Sequence, residues 1–458
     1  MFGVDRTVQN IVGSSEYGLY FALFNLTLIL NILLDLGITY FNNRNIAQYD
    51  FLLNKHLGNI LPIKFYLFFV YSFVVFCIAL IAGYSKRELF ILFFLVLNQF
   101  LLSLILYLRS NITALQLFKT DSLLSVLDRF FMIVFCSIFL WTNLTSIKIS
   151  IELFVIIQFI SYLFTTLVAF YFVFKETGKF KLNFDFKLFY IFIKKSYPYA
   201  ILVLLMSFYH RFDSILLERL LPNGEYDAGI YAQSFRIIDA LSMVAYLFSG
   251  ILLPMFSNMI KKNEDVYSLL ELSFKLLFIP FFIIMVISFS FSKEIISLLY
   301  RTEDMNYSAI VFKIMIFSLI YPASNYVFGA LLTANGNLRE LNLIALIALL
   351  INVSFNLLLI PHYKAIGSSI ASVLAQLFTA FSQIFLVFKI FNFKIKISQI
   401  KKILAFISFV IVITYFFMNF VLINWFFKLF LIAFTSFLFS LLIKIYDLKL
   451  IKNYIIKI

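Results

Sequence analysis

Three ionisable residues stand where charge is least welcome. His210, Arg211 and Asp213 fall inside the apolar run SYPYAILVLLMSFYHRFDSILLERL (196–220), with no turn signal around them. A lone charge in hydrocarbon costs roughly 3 kcal/mol on insertion scales, so such groups face protein or water and mark functional sites. On a helix, Ser207, Arg211, Ser214 and Glu218 recur at i, i+4, i+7 and i+11, which is one stripe. His210 and Asp213, three apart, lie on the adjoining face, where they can meet.

The following run carries YAQSFRIIDALS, with Arg236 and Asp239 three apart. At a rise of 1.5 Å per residue, Arg211 and Asp239 each lie about 12 Å from the outer ends of consecutive helices. Two readings fit. In one, the charges form a mutually neutralising lock between the helices. In the other, Arg211 and Arg236 line a wet cavity, where their planar forks can bind an anion bidentately. Asp213 and Asp239 then become candidates for proton or cation coupling, and both readings can hold at different stages of a cycle.

Weaker signals lie elsewhere. Asp128 and Arg129 interrupt the run beginning near Leu123 and are candidates for a lumen. Asp35, in LLDLG, is either functional or a helix terminus. Lys275 and Lys313 sit a few residues inside their runs, where snorkelling to the headgroups accounts for them. Pro198, Pro254, Pro280 and Pro322 fall in or at the ends of runs, as kinks or as hinges. His56, His210 and His362 are far apart and Cys77 and Cys136 lie in apolar runs, so no metal-ligand spacing and no disulfide framework is present. No Walker A pattern occurs, which argues against ATP hydrolysis by this chain. No catalytic constellation and no cofactor is expected.

The elements that hold these residues are membrane helices. Of 458 residues, 63% are hydrophobic, 20% aromatic and 13% charged. The mean hydropathy is +1.00. A soluble domain of this balance would be an apolar patch from end to end. A bilayer core of about 30 Å needs about 20 apolar residues per helix. Runs long enough begin near Tyr17, Ile60, Leu89, Leu123, Ile151, Tyr197, Tyr231, Glu271, Ser308, Leu341, Gly367, Leu404 and Asn424, which makes thirteen visible spans. The net charge of +14 is no signature of nucleic-acid binding, because the lysines collect in alternate loops. Residues 175–195 carry six, residues 389–402 five, and the tail after Ile443 four. That side is read as cytoplasmic, with the C-terminus.

An internal repeat orders the helices. VDRTVQNIVGSSEYGLYFALFNL near the start and FDSILLERLLPNGEYDAGIYAQSFRI from residue 212 share a plan. Each has an Asp, an apolar stretch, a Gly-containing polar turn, then Gly-x-Tyr opening a long helix. The first copy has only four residues before its Asp, so a first helix is expected to be largely missing, which would bring the spans to fourteen. The expected fold is all-α: two six-helix bundles, 1–190 and 191–390, plus a C-terminal helix pair and basic tail, 391–458. Paired six-helix halves are a transporter plan.

These residues also carry a family resemblance. GSSEYGLYFALFNLTLILNILLDLGITYFNNRNIAQYD resembles the first conserved block of bacterial polysaccharide flippases, the Wzx-type branch of the MOP exporter superfamily. RFDSILLERLLPNGEYDAGIYAQSFRIIDALSMVAYLFSGILLPMFS resembles the second-half block, and LLTANGNLRE and LLLIPHYKAIGSSIASVLAQ two later signatures. Lys364 departs from the pattern, standing where the family has Gly after Pro-x-Tyr.

The resemblance implies a flippase that moves undecaprenyl-pyrophosphate-linked oligosaccharide units to the outer leaflet of the bacterial inner membrane by alternating access. It would serve O-antigen (lipopolysaccharide), capsule or exopolysaccharide synthesis. Coupling to an H⁺ or Na⁺ gradient, membrane lipids as surroundings and a glycan polymerase and other pathway proteins as partners are implied with it. Lumen candidates are Arg211, Arg236, Arg129 and His210. Coupling or neutralising candidates are Asp213, Asp239, Asp128 and Asp35. Rivals are a lipid II flippase, a drug/cation antiporter of the same superfamily, and a membrane glycan polymerase or ligase. The antiporter calls for a more acidic and aromatic cavity. The polymerase calls for a sizeable outer loop, and the longest here, SKEIISLLYRTEDMNYS, has 17 residues.

Overall fold

The computed structural model describes residues 2–39, 42–43, 46, 51, 53–140, 149–177, 182–183, 186–393, 397–421 and 423–446. Of the lysines counted above, Lys179, Lys181, Lys394, Lys396, Lys449, Lys452 and Lys457 lie outside them. The described chain is a series of helices: α1 Phe2–Val12, α2 Ser14–Ile29, α3 Leu53–Ile81, α4 Lys86–Ala114, α5 Phe118–Leu140, α6 Ile151–Thr177, α7 Phe186–Leu220 and α8 Gly224–Lys261. They continue as α9 Tyr267–Ser290, α10 Ser292–Leu299, α11 Met305–Ala334, α12 Leu338–Phe391, α13 Ile397–Phe420 and α14 Trp425–Leu442. Eleven of these helices are long and apolar enough to cross a membrane. The 54-residue α12 holds two of the expected spans, and the 16-residue α2, prolonged by a 3₁₀ turn over Asn31–Leu34, supplies the first.

Outward-facing aromatic stripes explain the composition. Phe69 and Phe73 on α3 are 67% and 72% exposed, and Phe381 and Phe385 on α12 are 66% and 69%. Each pair is four apart and so shares one helix face, which bare hydrocarbon accommodates and water does not.

Contacts divide the chain into two compact units, Met1–Gly229 and Ile230–Ile458. By contacts α7 goes with the first unit, where it packs along α2. In that unit α4 packs extensively on α6, and α5 on α6. The N-terminus of α4 is closed by a capping box, in which the Ser85 hydroxyl accepts from the Glu88 amide and the Glu88 carboxylate accepts from the Ser85 amide.

The glycines of the repeat's two Gly-x-Tyr motifs meet in the first unit. A Cβ on Gly18 would overlap the Glu225 carbonyl and the Gly229 amide, and one on Gly229 would overlap the Ser14 backbone. Glycine at both places lets the start of α2 and the first turn of α8 touch backbone to backbone, as small residues do at membrane helix crossings. Gln9 on α1 adds a hydrogen bond of 2.9 Å from Nε2 to the Gly229 carbonyl.

In the second unit α9 packs on α11, α13 and α14. Pro322 precedes a π-helical turn over Asn325–Gly329, which side chains brace against α12: Gln383 Nε2 donates to Asn325 Oδ1 at 2.9 Å and Ser324 Oγ to the Ala380 carbonyl at 3.2 Å. Lys275 does not snorkel. It is 6% exposed and donates to Glu271 at 2.5 Å and to Gln399 at 2.8 Å, because α13 begins beside it. Lys313 is exposed, its ammonium 4.5 Å from the Phe289 ring centre.

The bend in α12 has three local causes. Pro361 removes a helix donor, Lys364 takes φ 51° and ψ −131°, and Gly367 lies so close to Leu359 that a Cβ would come within 2.6 Å of its carbonyl. Lys364 thus occupies a conformation natural to glycine. The Ala365 amide at the bend donates to the Tyr307 hydroxyl at 2.9 Å.

Candidate functional site

The stripe on α7 faces α2. Arg211 is half-buried, and its Nη1 donates to Asn25 Oδ1 at 3.0 Å. The Asn25 amide, 1% exposed, donates in turn to Ser214 Oγ at 2.8 Å. The stripe therefore meets a polar partner that sequence reasoning passed over, an asparagine inside ALFNLTL. Asp213 is fully buried and His210 half-buried, its ring tilted against Tyr209 at 4.6 Å between centres.

Farther along α7 the stripe ends in a charged network. The buried Glu218 carboxylate accepts from the Tyr84 hydroxyl at 3.2 Å and pairs with Arg219 Nε at 2.8 Å. The Arg219 guanidinium lies 3.4 Å from the Tyr84 ring centre, a cation–π contact. The carboxylates of Glu88, Glu218 and Glu225 lie within 4.8 Å of one another, with Arg219 as their countercharge. Beside them Arg87 forks onto Glu16 at 2.9 and 2.5 Å and reaches Glu152 at 2.7 Å, tying together the starts of α2, α4 and α6.

The other end of α2 holds a second polar centre. Lys64 on α3 is fully buried. It pairs with Asp35 and donates to the Leu34 carbonyl at 3.1 Å and to Ser103 Oγ at 3.0 Å. The Thr39 hydroxyl also donates to Asp35. Nearby, Arg109 grips Asp121 with two bonds, Nε to Oδ1 at 2.8 Å and Nη2 to Oδ2 at 3.3 Å. Both pairs border a cavity of about 730 Å³. Asp35 was read from the sequence; Lys64, Arg109 and the cavity were not.

The remaining sequence candidates are spread out. On α5, Asp128 is half-buried and Arg129 exposed. In the second unit Arg236 is half-buried and Asp239 exposed.

Stacked apolar helices with charge collected on a few inner faces define an α-helical multi-pass membrane protein. Its fold is similar to that of solved MOP superfamily transporters. A structure titled "Lipid II flippase MurJ, inward closed conformation" superposes with a TM-score of 0.70 at 17% identity, covering 97% of this chain and 96% of that one. An inward-facing multidrug resistance MATE family transporter gives 0.63 at 13% identity, over 84% and 92%. A MOP superfamily transporter from Pyrococcus furiosus gives 0.58 at 12% identity, over 84% and 89%. The search of curated proteins returned no match. The chain belongs to the polysaccharide biosynthesis protein family, whose model matches residues 6–260.

Proposed function

We propose that this protein carries an undecaprenyl-pyrophosphate-linked oligosaccharide from the inner to the outer leaflet of the bacterial cytoplasmic membrane. The glycan made from it would be an O-antigen, capsule or exopolysaccharide. The observation that carries this reading is the family match, which spans α7 and nearly all of α8 and so includes Arg211 and Arg236. Arginine suits a pyrophosphate because its planar fork meets two oxygens at once. Asn25 orients the Arg211 fork from α2. Alternating access would deliver the head group, with Asp213, Asp239, Asp128 and Asp35 as groups for H⁺ or Na⁺ coupling or for neutralisation. The lysine-rich loops and C-terminus would lie in the cytoplasm, and a glycan polymerase would take the product outside.

The test is complementation of a strain lacking its polysaccharide flippase with wild type, Arg211→Ala and Arg236→Ala, each checked for membrane abundance. Surface glycan should fall at least tenfold in both variants. Wild-type glycan in both would remove them as anchors. A second reading, flipping of lipid II, is favoured by the superposition on the flippase of that title. Rescue of a strain depleted of its lipid II flippase, without restored surface glycan, would select it.

A further inference from the structure

The segment after α2 separates two recesses of opposite character. Asn31, Asp35 and Thr39, at i, i+4 and i+8, line the polar cavity of about 730 Å³. Ile32, Leu33 and Leu36, on the same segment, line an apolar cleft of about 230 Å³ closed by Tyr197, Ala200 and Leu204 of α7. A 3₁₀ turn over Asn31–Leu34 closes the end of α2, and the chain then turns through Leu36 and Gly37 at positive φ.

The polar cavity is balanced in charge. Asp35 is paired with Lys64, and Arg109 with Asp121. A phosphate would meet two carboxylates there, and a cation would meet an ammonium and a guanidinium. What remains is the Asn43 amide and the oxygens of Ser103, Ser110 and Thr113, whose hydroxyls donate to backbone carbonyls and so offer acceptors, with Leu102 and Leu106 as an apolar wall. Donors and acceptors mixed over an apolar floor suit a neutral polyol, and the volume lies inside the roughly 300–1,000 Å³ of small-molecule sites. The cleft beyond the segment offers no polar surface and suits a hydrocarbon chain.

We propose that the segment Asn31–Thr39 is a loading site for an amphiphile, with uncharged sugar residues of the head in the polar cavity and the isoprenoid chain in the apolar cleft. This rests on the flippase reading and names where its substrate first engages. The distances agree with it: Asn25, which holds Arg211, precedes Asn31 by six residues, roughly 9 Å of helix rise. A pyrophosphate at Arg211 would thus sit within a sugar or two of the cavity.

The experiment places the photo-crosslinker benzoylphenylalanine at Leu106 (cavity), Leu204 (cleft) or Ser207 (the α7 stripe) in the native cells. Cells making the complete lipid-linked repeat are compared with cells blocked at its first glycosyl-phosphate transfer. Leu106 adducts should carry glycan, and Leu204 adducts the isoprenoid chain. Both should drop at least fivefold in blocked cells. Glycan captured at Ser207 but not at Leu106 would overturn the loading site while leaving the flippase reading standing. Unchanged phospholipid adducts at Leu204 in both cells would overturn the cleft assignment. Capture at none of the three, together with failed complementation, would end both.

Discussion

The Asp35–Lys64 pair gives the sharpest quantitative expectation. Asp35→Ala leaves an ammonium that is fully buried, with the Leu34 carbonyl, the Ser103 and Thr39 oxygens and the Tyr107 ring face around it but without the countercharge of its pair. Breaking a buried pair by removing one partner destabilises by about 3–5 kcal/mol, whereas replacing both with apolar groups is often neutral. Asp35→Ala should therefore shift the folding equilibrium by at least a hundredfold, at about 1.4 kcal/mol per tenfold. Asp35→Ala/Lys64→Met should return to within about 1 kcal/mol of wild type, for a coupling of about 2–4 kcal/mol. Reversible unfolding of the purified protein from detergent micelles by SDS, followed by circular dichroism, measures all four corners of the cycle. Additive effects, or a single-mutant loss below about 1 kcal/mol, would refute the pairing.

Lys364→Gly should stabilise by about 1 kcal/mol in the same titration, since relief of left-handed strain of about 1–3 kcal/mol exceeds glycine's entropic penalty. Gly18→Ala should destabilise by about 1–3 kcal/mol, because its methyl meets backbone of α8 that no rotamer can clear. Ser85→Ala should remove about 1 kcal/mol by opening the capping box of α4, with Ser85→Asp retaining most of it.

How much of this was legible depended on whether a signal was local. The helices were, because runs of about 20 apolar residues have few alternatives in a bilayer. The Gly-x-Tyr repeat pointed to Gly18 and Gly229, although nothing in the pattern said the two copies touch. The polar stripe of Arg211 was legible because it lies on one helix, and the structure sets it against Asn25. Lys64 was not, since IKFYLFF reads as the interfacial start of a span; in fact α3 begins at Leu53, which draws Lys64 inward. Its partner lies 29 residues earlier, beyond any helical spacing. Arg109 and Asp121 lie on either side of the turn between α4 and α5, 12 residues apart, and meet only through that turn. The 54-residue α12 shows the opposite case, two apolar runs that needed Pro361 and Gly367 to be told apart.

That bend constrains how the chain is made. Its two arms are joined with almost no connecting segment, and Gly367 already rests against Leu359. With so short a connection, the two arms are expected to enter the membrane together as a helical hairpin, residues 338–391 forming one insertion unit. A reporter or epitope spliced at Lys364 would split that unit and should block biogenesis before it could inform on topology.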